Sequence, residues 1–199
     1  MATKLPVYSL QIDPNADSEL QVDYVALVDM PAIEKDFIAF DAQKQRLSFA
    51  LNEDRHIISG AAMLAGVPIY RNDDQMGEYM VVFDAPTILQ ICQKFFAKGF
   101  NQNFNLMHDP AARVPGVCIF ESFIVDSTRG IKPMAGFEDA KDGSWFISAK
   151  VDNPEIWQFI KEGKIKGFSV EGCFSYTKQK MSEESMIAAL RQLMSEDEF

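Results

Sequence analysis

The sequence is poor in the residues from which metal centres are usually built. Only two histidines occur, His56 and His108, and the three cysteines, Cys92, Cys118 and Cys173, lie far apart with no CxxC pair. That excludes the common zinc spacings and predicts reduced thiols in a cytosol-like compartment. Asn72-Asp73-Asp74 lacks the spaced ligands and acidic terminus of an EF-hand loop and reads as a turn. Neither GxxxxGK[ST] nor GxGxxG is present, so no glycine loop cradles a phosphate. No cofactor and no metal is expected. Basic residues are also scarce: 19 Lys and Arg face 29 Asp and Glu, a net charge of −10. A nucleic-acid binder neutralises phosphates with cations, and this balance points the other way. No apolar run approaches membrane-spanning length, and the opening MATKLPVYSL has no hydrophobic signal region. A soluble protein made inside a cell, without a membrane partner, is the expectation.

Apolar material is plentiful. Hydrophobic residues make up 47% of the chain, with sixteen Phe and two Trp, enough for one sizeable core. The first half reads as strands at Pro6–Ile12, Leu20–Val28, Phe37–Phe40, Leu47–Leu51, His56–Ala65 and Glu78–Phe83, separated by Asp, Asn, Pro and Gly clusters. A helix is predicted from an Asp84 cap through Pro86 to a stop at Gly99. A shorter one repeats the pattern with an Asn153 cap, Pro154 and a stop at Gly163. Further strands are expected at Asn103–Asp109, Val117–Val125, Trp145–Val151 and Ile165–Tyr176. Met186, Ile187, Leu190, Leu193 and Met194 give an amphipathic helix within an acidic tail. The organisation predicted is a domain over residues 1–177, then a linker and C-terminal helix over 178–199. The fold class is α+β, a mainly antiparallel curved sheet or β-barrel with flanking helices.

Chemistry without metals falls to strand-borne polar residues. His108 closes an apolar run, and alternation places it with Phe104 and Leu106, where core meets solvent; a general base needs that mixture of tuned pKa and access. A half-buried structural histidine is the competing reading. Ser169 has glycines at −2 and +3, which let a substrate backbone approach and free amides for an oxyanion, although a serine in a strand with glycine kinks explains the same residues. Glu121 stands in an apolar alternation with Val117, Ile119, Phe123 and Val125. If that strand forms a hairpin with the strand ending at His108, Glu121 orients the imidazole; a pair with Arg113, Arg129 or a Lys is the alternative. Asp109 is a competing third member on the opposite face. His56 needs no chemistry beyond a surface strand start, and Cys173 is expected to pack as a small apolar group.

Taken together, "NLMHD", "VCIFESFIVD" and "DGSWFISAKVDNPEIWQFIKEGKIKGFSVEG" resemble the XkdF-like phage serine proteases, relatives of the prohead proteases, and "VDYVALVDMPAIEKDFIAF" fits the opening of that group. The resemblance runs from Val22 to Phe174. It implies a herpesvirus-protease-like fold and a serine endopeptidase that cleaves scaffold and major capsid precursor proteins inside the procapsid, in the host cytoplasm. By position it implies Ser169 as nucleophile and His108 as base, with Glu121 chosen as third member on position and chemistry. Backbone amides near Gly167–Val170, or Arg113 or Arg129, are the oxyanion candidates. A homodimer is a further expectation, since related viral proteases are often activated by dimerisation. A non-catalytic structural or scaffolding protein of the capsid is the alternative from another class.

Overall fold

Short strands rich in apolar residues bury one face or both, and the computed structural model stacks them into layers around a shared core. It describes residues 5–15, 18–29, 50–52 and 55–178. In chain order these residues form β1 (Val7–Gln11), β2 (Val22–Val28), β3 (Ala50–Asn52), β4 (Ile57–Met63), β5 (Ile69–Asp73), β6 (Gly77–Val82), α1 (Ala85–Ala97), β7 (Phe104–Leu106), β8 (Asp109–Arg113), β9 (Val117–Ile124), a 3-10 turn (Ser127–Arg129), β10 (Trp145–Val151), α2 (Pro154–Lys161), β11 (Gly167–Gly172) and β12 (Ser175–Lys178).

The strands make three four-stranded sheets, ordered β12-β1-β6-β5, β3-β4-β10-β9 and β11-β2-β7-β8. Pairing is mainly antiparallel, with β1–β6 and β2–β7 the parallel exceptions. The α+β expectation therefore stands, but the barrel form of it does not: the described sheets do not close on themselves, because each ends in two edge strands. Bulges within the β10–β4, β10–β9 and β11–β2 ladders bend the strands and change which residues face the same side.

Both helices follow their caps. Asp84 accepts from Thr87 N at 2.8 Å, and Asn153 accepts from Glu155 N and Ile156 N at 3.1 Å, so each satisfies amide donors of the first turn. Ile88, Ile91 and Phe95 of α1 and Ile156, Trp157 and Ile160 of α2 are buried in the main core with Val25, Leu27, Phe104, Trp145 and Phe168. A smaller cluster joins Ala61, Val125, Phe137 and Phe146 behind the β3-β4-β10-β9 sheet.

Two predicted strands are broken. Asn103–Asp109 is a hairpin: β7 ends at Leu106, Met107 and His108 turn with φ of 51° and 59°, and Leu106 pairs Asp109. Ile165–Tyr176 divides at Cys173-Phe174, where the chain passes from one sheet to another. β5 was not expected at all. The predicted strand Phe37–Phe40 and the C-terminal helix lie outside the described residues, as does most of Leu47–Leu51. Among the described residues no helix is long and apolar enough to cross a membrane.

Candidate active site

The site is built on the β11-β2-β7-β8 sheet. Residues opposite one another across a ladder share a face, so Ser169, Ala26 and Asn105 form one row, joined through the pairs Ser169–Ala26 and Ala26–Asn105. Phe168, Leu27 and Leu106 face the other way, toward the core side. Glu171 lies two residues along β11 from Ser169 and therefore projects on the same side. The small Ala26 between them lets side chains from β11 and β7 meet: Asn105 Nδ2 donates to Glu171 Oε2 at 2.5 Å.

The β7–β8 turn carries His108 over this carboxylate. His108 Nδ1 stands 3.6 Å from Glu171 Oε2, with the two side chains 40% and 28% exposed. Burial pushes the imidazole below the ordinary histidine value; Glu171 opposes that shift, and the positive charge of Arg71 adds to it. A ring that stays neutral near neutral pH and turns Nδ1 to a carboxylate leaves its other nitrogen to accept a proton. Asn105 is fully buried, and its Oδ1 has no hydrogen-bond partner. An unsatisfied buried acceptor is costly, and such groups concentrate where function constrains a structure.

Ser169, His108 and Glu171 line one cavity of about 400 Å³ whose walls are mostly apolar, among them Met63, Leu64, Val67, Ile69, Phe83 and Phe174. Ser169 is only 4% exposed. No direct hydrogen bond joins its hydroxyl to the His108 ring: both face the shared cavity across a gap. Two residues 61 positions apart in the sequence thus line one cavity.

Glu121 is not beside them. Its expected role needed a hairpin between its strand and that of His108, and β9 instead pairs β10 in another sheet. The alternation that grouped it with Ile119 also fails, because Ser148 opposes Glu121 while Ala149 opposes Ile119. Phe120 is thus an extra bulged residue, and Glu121 turns to the face opposite Ile119. There it accepts from Ser148 Oγ at 2.5 Å, and Ser148 accepts from Ser59 Oγ at 2.8 Å.

The other candidates have local explanations. Asp109 caps its own turn, accepting from Ala111 N at 2.8 Å. His56 stacks on Trp157 with ring centroids 4.5 Å apart. Cys173 is exposed rather than packed. Arg113 lies over the Tyr24 ring at 5.6 Å and Arg129 lies 3.7 Å from Asp126; neither lines the cavity, whereas Arg71 does. Gly172 serves its own chain rather than a substrate: a Cβ there would fall 2.0 Å from the Gln21 carbonyl oxygen. Sequence reasoning passed over Glu171, Asn105 and Arg71. The signal for Glu171 was present, since a strand residue two places from a serine shares its face. Among the described residues no group of three or more His, Cys, Asp or Glu is placed to hold a metal ion.

No curated protein and no solved structure matches the chain. Residues 51–178 match the profile of the family described as "Putative phage serine protease XkdF", a span that includes His108, Glu171 and Ser169. The chain belongs to that family of phage serine proteases.

Proposed function

We propose that the protein is a serine endopeptidase in which Ser169 attacks the scissile carbonyl, His108 takes its proton and returns it to the leaving amine, and Glu171 holds the imidazolium that forms between those steps. The observation that carries this reading is the common cavity: hydroxyl, imidazole and carboxylate line one concave space, with His108 Nδ1 3.6 Å from Glu171 Oε2. Substrate binding closes the gap between hydroxyl and ring, as catalytic hydrogen bonds in free enzymes tighten in the complex. Backbone amides of Gly167–Val170 that do not serve the β2 ladder supply the oxyanion donors, since β11 is an edge strand among the described residues. The fold is read as herpesvirus-protease-like. Its substrates are scaffold and major capsid precursor proteins, met inside the procapsid in the host cytoplasm.

The test is direct. A fluorophosphonate probe labels Ser169 in the native chain, and labelling falls to background in Ser169→Ala. Cleavage of co-expressed scaffold by Ser169→Ala would eliminate the assignment. Absence of labelling in assembled particles would favour a non-catalytic capsid role.

A further inference from the structure

The cavity holds one charge that the hydrolytic reading does not use. Arg71 lies on β5, which belongs to a different sheet from Ser169, and it reaches the same space. Its Nη1 donates to the Tyr70 carbonyl oxygen at 3.1 Å, and no carboxylate of the described residues lies within 4.0 Å of it. The nearest acid on its own strand face is Asp73, two residues on, which is already engaged: it accepts from Gln75 N, Met76 N and the Tyr79 hydroxyl. The other charged group at the cavity, Glu171, is engaged by Asn105 and His108. A guanidinium among apolar walls is weakly screened and offers a planar fork that fits a carboxylate with two parallel hydrogen bonds.

We propose that Arg71 is the specificity-determining residue of this site, and that the peptide substrate places an acidic side chain against it within a few residues of the scissile bond. The inference rests on the hydrolase reading of the same cavity. Apolar neighbours such as Leu64, Val67 and Ile69 take the aliphatic stem or an adjoining hydrophobic residue, while Arg71 receives the carboxylate. A neutral amide of the same shape leaves the guanidinium without its anion and binds less well. A lysine meets like charge.

The experiment uses the full chain and a proteome-derived peptide library at about pH 8.5, where His108 is neutral with or without its cationic neighbour. Cleavage sites are mapped by mass spectrometry, and matched Glu, Gln and Lys peptides are then timed. The native chain is expected to favour the Glu peptide over its Gln twin by about tenfold in kcat/KM. Arg71→Met brings that ratio near one, and Arg71→Glu moves the preference to Lys. Thermal unfolding of both variants checks that they fold. Each ratio is taken within one variant, so an effect of the mutation on the base cancels. Equal cleavage of Glu and Gln peptides by the native chain, or an Arg71→Glu preference unchanged from native, overturns the specificity proposal and leaves the hydrolase standing. Cleavage that persists in Ser169→Ala overturns the hydrolase instead. If the native chain cuts nothing, the hydrolase reading fails, and fluorescence anisotropy of the same Glu and Gln peptides decides the Arg71 preference by itself.

Discussion

His108, in the β7–β8 turn, and Glu171, on the edge strand β11, belong to one four-stranded sheet, and their side chains approach to 3.6 Å. The approach depends on the β7–β8 turn, in which both Met107 and His108 take positive φ, and on Ala26, whose small side chain leaves the row open. A carboxylate held by Asn105 on one side meets the imidazole on the other, and that geometry fixes which ring nitrogen remains available.

Exchanging the two glutamates separates the assigned carboxylate from the one that the sequence suggested. Glu171→Gln is expected to lower kcat/KM by about 10²- to 10⁴-fold, because the imidazolium loses its counter-charge and the ring its preferred tautomer. Glu121→Gln, on the other sheet, leaves kcat/KM within about threefold of native, as expected for a remote surface change. Steady-state cleavage of one peptide by both variants checks this, and the reverse ranking restores Glu121.

The His108 shift has a definite pH signature. The folded ring binds its proton less tightly than the unfolded ring, whose ordinary value is 6.5, so the unfolded chain takes up protons first. Stability from this group is complete above that value and is lost as pH falls through the lower folded value. Denaturant unfolding measured between about pH 5 and 8 should therefore show a downward slope toward acid that His108→Gln flattens. In the same way, the acid limb of kcat/KM should have its midpoint below 6.5.

Lys94 acts as a tethered cation within the fold. Its ammonium, on α1, is buried and donates to the carbonyls of Asp13 at 2.8 Å, Asn15 at 2.7 Å, Ser18 at 2.9 Å and Leu20 at 3.4 Å. Lys94→Met keeps the stem but removes the donor that ties the four carbonyls together, at a cost of about 2–4 kcal/mol, although Asn15 O still accepts from Ser18 N and Leu20 O from Asp13 N. Thermal unfolding gives the total, and faster amide exchange in the connection from β1 to β2 identifies the segment released. An unchanged melting temperature would contradict the clamp.

Gly172 tests the bulge beside the site. Alanine there collides with Gln21 O and Val22 Cα, which are backbone atoms with little room to yield. Gly172→Ala should cost about 1–3 kcal/mol and displace Glu171, so activity falls along with stability. Melting and cleavage measured on one preparation check both effects.

The Met107–His108 turn stores strain that can be relieved at one position without touching the imidazole. A two-residue hairpin turn with both φ positive favours Asn over Met at its first place. Met107→Asn should raise stability by about 0.5–1 kcal/mol while the His108 pH signature persists, measured by denaturant midpoint and pH profile. A lower midpoint would show that Met107 Sδ, which accepts from Asp29 N at 3.4 Å, contributes more than the strain costs.

What could be read along the chain was whatever depends on near neighbours. Asp84 and Asn153 cap the helices they announce, and Trp145–Val151 is a strand with the bounds its apolar pattern predicts. A cap bonds within three residues and a strand alternates every two, so both leave a local record. The resemblance of several segments to a protease family implied catalytic roles for Ser169 and His108, which the local pattern had left open against structural readings, and both line one cavity. The partner of His108 left no such record, because it is chosen by pairing between strands far apart in sequence. The Met107-His108 turn has neither glycine nor asparagine to mark it, and the bulge at Phe120 reversed the alternation that had favoured Glu121. Strand register across a sheet is settled by packing of the whole core, and that packing, not any local pattern, put Glu171 beneath the histidine.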